Sequence, residues 1–303
     1  MNKIAFSKDN NPLLNTCTLS NSKGTKAVIY PMLGASLQQL YMDGTPIINN
    51  IIASEGVPKL LNSSCSAILF PFANRINKGQ YSYANQFYQL DCNEVARGHA
   101  IHGLVYKQEF SLVGSTSTED EASVSFSYQQ DGSAAGFPFP FNITLTYTLK
   151  KDSLALAVKV ENRGTASFPF SLGWHPYFYS SDLEQSELYM ESEERIDANE
   201  QMIPQQIIKE HFPNPLVLRK QEFDTGFVLK NTTIGYKTPD YQMNLRIGGH
   251  QDQQFVQLYI PAHRKSIAIE PMTAAADCYN NNWGVKTLKP NAIYQTTWFI
   301  EKR

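Results

Sequence analysis

Apolar and polar side chains alternate along much of this chain. The pattern is clearest where Ile143, Leu145, Tyr147 and Leu149 interleave with Asn142, Thr144, Thr146 and Thr148. Successive side chains of a strand point to opposite faces, so this spacing predicts a strand with one buried face. Lys150-Lys151-Asp152-Ser153 interrupts the pattern, which resumes at Leu154, Leu156, Val158 and Val160; the two runs read as a hairpin. Similar strands are predicted at 26–30, 36–42, 79–90, 110–113, 122–129, 241–247, 255–260, 266–269 and 293–300. No window has the spacing of a long amphipathic helix, and 57–65 reads as a short one.

Strands run from near the start to the last residues with no low-complexity linker and no internal repeat. The segment 180–222 is the most polar and reads as a long excursion from the sheet, because strands resume after it without a new start signal. Many evenly spaced strands in one unit, residues 1–303, predict an all-β protein: two large antiparallel sheets stacked as a β-sandwich, or a barrel.

Composition narrows the partners. Hydrophobic residues make up 42% of the 303 residues, enough for a large core. The net charge of −2, with both signs interspersed, argues against nucleic acid or a charged membrane surface as partner and towards something small and roughly neutral. The first residues carry no apolar run of signal-peptide length, and no stretch approaches the ~18 apolar residues of a membrane helix. Cys17, Cys65, Cys92 and Cys278 form no CxxC pair. Together these features predict a reduced, cytoplasmic protein.

Candidate chemistry falls in a few places. Of the histidines at 99, 102, 175, 211, 250 and 263, two have unusual settings. Gly103 directly follows His102 and permits a tight turn with close approach of a ligand to backbone. Pro176 follows His175 and biases it towards an extended backbone. Each alone reads more readily as structural. Glu270 ends an apolar run, Ser266-Ile267-Ala268-Ile269, on the face opposite Ile267 and Ile269. A carboxylate there loses solvation, and its pKa rises towards that of a useful base; the plainer alternative is a rim glutamate paired with a cation. Asn74-Arg75-Ile76-Asn77-Lys78-Gly79 offers a guanidinium fork for vicinal hydroxyls or a carboxylate, or is simply a solvated turn. Asp224 could accept from hydroxyls or cap a turn. No HExxH, GxSxG, phosphate loop or GxGxxG is present. His99 and His102, three apart in extended chain, would face opposite ways, which argues against a metal there.

In their order these strings resemble the aldose 1-epimerase (galactose mutarotase) family. The resemblance runs from about Tyr30 to the C-terminus. It rests on Asn74-Arg75-Ile76 with Gly79, His102-Gly103, His175-Pro176-Tyr177-Phe178, Asp224 before Phe227, Glu270-Pro271-Met272-Thr273-Ala274 through Asp277 to Asn280, and Gly284 to Leu288 with Pro290. It implies a galactose mutarotase-like super-sandwich that needs no cofactor and no metal. The glutamate matched by Glu270 would take the proton of the anomeric hydroxyl, and the histidine matched by His175 would protonate the ring oxygen. Arg75, His102, Asp224 and Asn74 would hold a small-molecule sugar, in a monomer or homodimer. The chain departs from better-known members after His102-Gly103, where Leu104 replaces a second glycine, and its Glu270-Pro271-Met272 run is that of a less characterised branch. The expected substrate is a neutral free hexose. Tyr106 stands where a sugar-phosphate branch would carry an arginine, although Arg97, Arg75, Lys78 and Lys107 lie near the matched strings. The alternatives are a sugar-phosphate 1-epimerase and a non-catalytic carbohydrate-binding β-sandwich; binding alone needs no matched acid and base.

Overall fold

The computed structural model describes residues 2–50, 64–248 and 254–303. The predicted hairpin forms as read: Phe141–Leu149 pairs with Ser153–Asn162, Leu149 opposite Leu154, and buried and half-buried positions alternate along both strands. These are central strands of a nine-stranded sheet ordered Ser111–Ser117, Ala122–Gln130, Phe141–Leu149, Ser153–Asn162, Ile293–Lys302, Gln242–Gly248, Thr233–Lys237, Glu187–Tyr189, Leu216–Val217. A second sheet runs Pro204–Lys209, Glu194–Ala198, Asp224–Leu229, Gln254–Tyr259, Ser266–Met272, Gly173–Trp174, Ile68–Leu69, and Tyr177–Tyr179 also pairs with Ser266–Met272. A five-stranded sheet is built from the first strands, Lys3–Ser7 to Thr45–Asn49. Strand pairing within these sheets is antiparallel throughout the described residues. The all-β antiparallel reading therefore holds.

One apolar cluster joins the sheets. Leu145, Leu156 and Trp298 of the nine-stranded sheet, Leu258, Ile267 and Ile269 of the second, and Leu37 and Leu40 of the third all belong to it. Trp174 stacks on Trp298 with ring centroids 5.8 Å apart, fastening the second sheet to the first. The opposite face of the second sheet carries a smaller cluster that includes Leu69, Val228, Phe255 and Met272. That face also holds the polar residues considered below.

Several expectations need correction. The polar segment 180–222 is not an excursion. It supplies the short strands Glu187–Tyr189, Glu194–Ala198, Pro204–Lys209 and Leu216–Val217, which extend both sheets to their edges. Edge strands are short and polar because one flank faces water, which hides them from a search for alternating apolar residues. Residues 79–90 form a hairpin, Gln80–Tyr83 with Gln86–Gln89, turning through Ala84 and Asn85 at φ 49° and 61°. Strands Lys3–Ser7 and Thr16–Ser20 were not anticipated. Most of the helix expected at 57–65 lies outside the described residues, as does His250. Among the described residues the only α-helix is Cys278–Asn281, and no helix is long and apolar enough to cross a membrane.

Candidate active site

Strand register assembles the site. Asp224 pairs with Tyr259, and Gln257 with Glu270, so these four side chains share the face turned away from the main core. On the other flank of Ser266–Met272, Gly173 pairs with Met272 and Tyr177 with Ala268. The residue midway between the first two partners is His175, and the residue midway between the second two is Glu270. The register therefore sets His175 opposite Glu270, with Nε2 3.3 Å from Oε1. Glu270 lies inside the strand instead of at its end, since pairing continues through Pro271 to Met272. Trp174, between Gly173 and His175, points to the other face and anchors the strand on Trp298.

Arg75 and His102 arrive from outside this sheet. Strand Arg75–Ile76 pairs with Ala100–Ile101, and the His102 amide donates to Asn74 O at 2.9 Å. Asn74 and His102 both have positive φ, 56° and 66°. Gly103, at φ 73°, bridges to Phe70, and a Cβ on it would stand 2.2 Å from Phe70 O. The close approach expected at Gly103 is thus to the chain's own backbone and not to a ligand. It seats His102 against the segment just after strand Ile68–Leu69.

These residues line one cavity of about 570 Å³, within the range of small-molecule pockets. Glu270, His175, Arg75, Asn74, His102 and Asp224 all border it. Tyr177, Tyr259, Gln257 and Arg97 border it too. The first three were missed as site residues, although a glutamine in the apolar run 255–260 was a visible anomaly. His99 is buried away from the cavity, its Nδ1 accepting from the Lys78 amide at 3.0 Å, so the two histidines do part company. Among the described residues no group of three or more His, Cys, Asp or Glu side chains is arranged to hold a metal.

Burial governs the electrostatics. Glu270 is 2% exposed and His175 5%. Desolvation pushes the Glu270 carboxyl well above its ordinary range; the Asp224 charge adds to this and Arg75 opposes it. Desolvation, then His102, pushes His175 well below the ordinary histidine range. His102 falls to about 3 through burial and the charge of Arg75. Both members of the Glu270–His175 contact are therefore driven towards their neutral forms. Glu270 Oε2, His175 Nδ1 and His102 Nδ1 are buried with no hydrogen-bond partner among the described residues. Such atoms are costly unless something else meets them. Tyr177 stacks on His175 at 4.9 Å and an 11° interplanar angle, and the His102 ring stands 5.2 Å away, nearly perpendicular. The imidazole is thereby walled on two sides. Asp224 Oδ1 accepts from Gln257 Nε2 at 2.8 Å.

Residues 15–299 match a family model described as Aldose 1-epimerase. The chain is 24% identical over 291 residues to the Uncharacterized protein YihR of Escherichia coli (strain K12), covering 91% of each. Its fold superposes on that of a galactose mutarotase-like protein from Clostridium acetobutylicum with a TM-score of 0.88 at 17% identity, covering 100% of this chain and 98% of that one. It superposes on galactose 1-epimerase from Lactobacillus acidophilus NCFM with a TM-score of 0.81 at 16% identity, covering 100% and 99%. The β-sandwich is thus of the galactose mutarotase-like kind.

Proposed function

The chain belongs to the aldose 1-epimerase family, and from that premise we propose that residues 1–303 act as one enzyme that interconverts the α and β anomers of a free hexose. The observation that carries this reading is the buried contact between Glu270 and His175, 3.3 Å apart at a cavity with unmet polar atoms. A binding module needs neither a matched acid and base nor the cost of burying them.

Ring opening removes one proton and delivers another. In the ionic form of the pair, the Glu270 carboxylate takes the proton of the anomeric hydroxyl. The electrons of that O–H bond form the carbonyl, the bond from C1 to the ring oxygen breaks, and His175 protonates the oxygen released. The aldehyde turns about C1–C2 and closes by the reverse transfers. Glu270 as carboxylic acid and His175 as neutral imidazole hold the same number of protons as the ionic form, so no proton has to enter from solvent. Raising the Glu270 pKa and lowering that of His175 favours the neutral pair, the form left once both transfers are made. Arg75, Asn74, His102 and Asp224 hold the hydroxyls.

Charge balance supports a neutral sugar. Arg75 and Arg97 are both paired with Glu94, and Asp224 adds a further acidic group to the cavity lining. Lys78, Tyr106 and Lys107 do not border the cavity. Arg97 is the one observation that favours the sugar-phosphate alternative. Polarimetry of freshly dissolved α-glucose and α-galactose, with exchange NMR of glucose 6-phosphate, tests the proposal. Faster mutarotation of a neutral hexose is expected. No acceleration of any aldose would refute it, and a preference above about tenfold for the phosphate, lost in Arg97→Ala, would move it to the phosphate branch.

A further inference from the structure

The turn between strands Gln86–Gln89 and Ala100–Ile101 carries Glu94 and Arg97 and supplies none of the proton transfers above. It closes on the backbone of Glu94: the amides of Arg97 and Gly98 donate to Glu94 O at 3.2 and 2.8 Å, and the Glu94 amide donates to His99 O at 3.0 Å. Asn93 fastens it from the flank, donating to Ile101 O at 2.9 Å and accepting from the Ile101 amide at 2.7 Å. Ile101 is the strand partner of Arg75. The turn is thereby held against the backbone that carries the cavity's buried guanidinium.

Glu94 meets that guanidinium edge-on. Arg75 Nε donates to Oε2 at 2.8 Å and Nη2 to Oε1 at 2.9 Å, and Nη1 donates to Asn74 Oδ1 at 3.2 Å. Two parallel bonds fix the plane of an arginine as a single bond cannot. An arginine has five N–H groups; three are used here, leaving one on Nη1 and one on Nη2. The same carboxylate accepts from Arg97 Nη1 at 2.9 Å, and Arg97 also borders the cavity. Arg75 and Glu94 side chains are only 8% and 13% exposed, so water does little to loosen the pair. Burial alone would raise the Glu94 pKa, but the hydrogen bonds and charges of the two arginines prevail and hold it below the usual range, keeping the carboxylate ionised.

We infer that Glu94 is a positioning residue for sugar recognition: it sets the plane of Arg75 so that its two remaining N–H groups meet the hydroxyls of the bound aldose. This rests on the reading of the cavity as an aldose site. Hydroxyl contacts are made alike in ground state and transition state, so their loss raises KM, while the proton transfers of Glu270 and His175, and with them kcat, persist. Glu94→Gln keeps the shape but replaces one acceptor oxygen by a donor facing a donor. Glu94→Asp keeps both oxygens on a shorter stem.

The test measures anomer exchange of galactose and glucose as a function of concentration for wild type, Glu94→Gln and Glu94→Asp, each also in an Arg75→Lys background, with circular dichroism to verify folding. Glu94→Gln is expected to raise KM about tenfold or more with kcat within about threefold, and Glu94→Asp to recover part of that rise. In the Arg75→Lys background, where the fork is already gone, Glu94→Gln should raise KM by less than about twofold. A wild-type KM in Glu94→Gln, a fall in kcat alone, or an undiminished effect in the Arg75→Lys background would overturn the inference. Should Glu94→Gln fail to fold, Glu94→Asp in the two backgrounds completes the same cycle, and the same three outcomes would overturn the inference. Wild-type exchange with unaltered KM in the variants removes only the role of Glu94, whereas absence of exchange in the wild type removes the mutarotase reading and this inference with it.

Discussion

His175 and Glu270 face each other because His175 lies between two short strands, Gly173–Trp174 and Tyr177–Tyr179, that both pair with the strand carrying Glu270. Their chemistry follows from what surrounds them more than from what they are. Desolvation favours the neutral carboxyl at Glu270 in the folded protein; unfolded, the same group ionises near the ordinary value of 4.5. A raised folded pKa contributes stability that is complete below the unfolded value and lost as pH rises above it. Glu270→Gln should therefore unfold at higher temperature than wild type at pH 7, with the gain shrinking towards zero as pH falls to about 4.5. Differential scanning calorimetry across that window checks this; a variant less stable than wild type at pH 7 would show that the carboxyl is not strained there. His175→Asn should lower kcat far more than it raises KM, since proton delivery belongs to the transition state. His99→Asn should leave kcat within a few-fold, because His99 lies off the cavity and bonds to the Lys78 amide. Steady-state kinetics of the two variants separate the roles, and the reverse ranking would exchange them.

Strands were legible in proportion to how one-sided their burial is. Phe141–Leu149 and Ser153–Asn162 have one face in the core and one in water, and their boundaries follow from alternation alone. The short strands between Glu187 and Val217, at and next to the sheet edges, lack such a contrast and look irregular in sequence. The candidate site was legible only in part. Glu270 and the glycine after His102 were visible anomalies, but the pairing of His175 with Glu270 depends on a register that no local pattern states; resemblance to a family supplied it. Glu94 was invisible, because a glutamate in a polar turn reads as solvated until Arg75 is seen behind it. The glycine after His102 suggests nearness to a ligand from sequence, whereas backbone contact with Phe70 decides its identity. Gly103→Ala should lose roughly 2–5 kcal/mol from a strained φ and an overpacked contact and should displace His102. Urea unfolding measures the loss; an unchanged midpoint would mean that the backbone there yields freely.

At the scale of the molecule, the second sheet has two faces with two tasks. Ile267, Ile269 and Leu258 bury one face in the main core, and Trp174 locks it to Trp298. The other face presents Glu270, Gln257, Tyr259 and Asp224 to a cavity closed by Arg75 and His102 from outside the sheet. A rigid packed sheet can hold buried polar atoms unsatisfied where a loop would relax around them, and this is what keeps a carboxyl and an imidazole poised near one another. The central claim is that Glu270 exchanges protons with the anomeric hydroxyl of an aldose. Exchange NMR of galactose anomers with wild type and Glu270→Gln tests it most directly, because the amide keeps the size and hydrogen-bonding reach of the side chain but cannot take a proton. The expected result is exchange that wild type accelerates and that the variant slows by about 10²–10⁴-fold while still binding the sugar; exchange within a few-fold of wild type would contradict that role for Glu270.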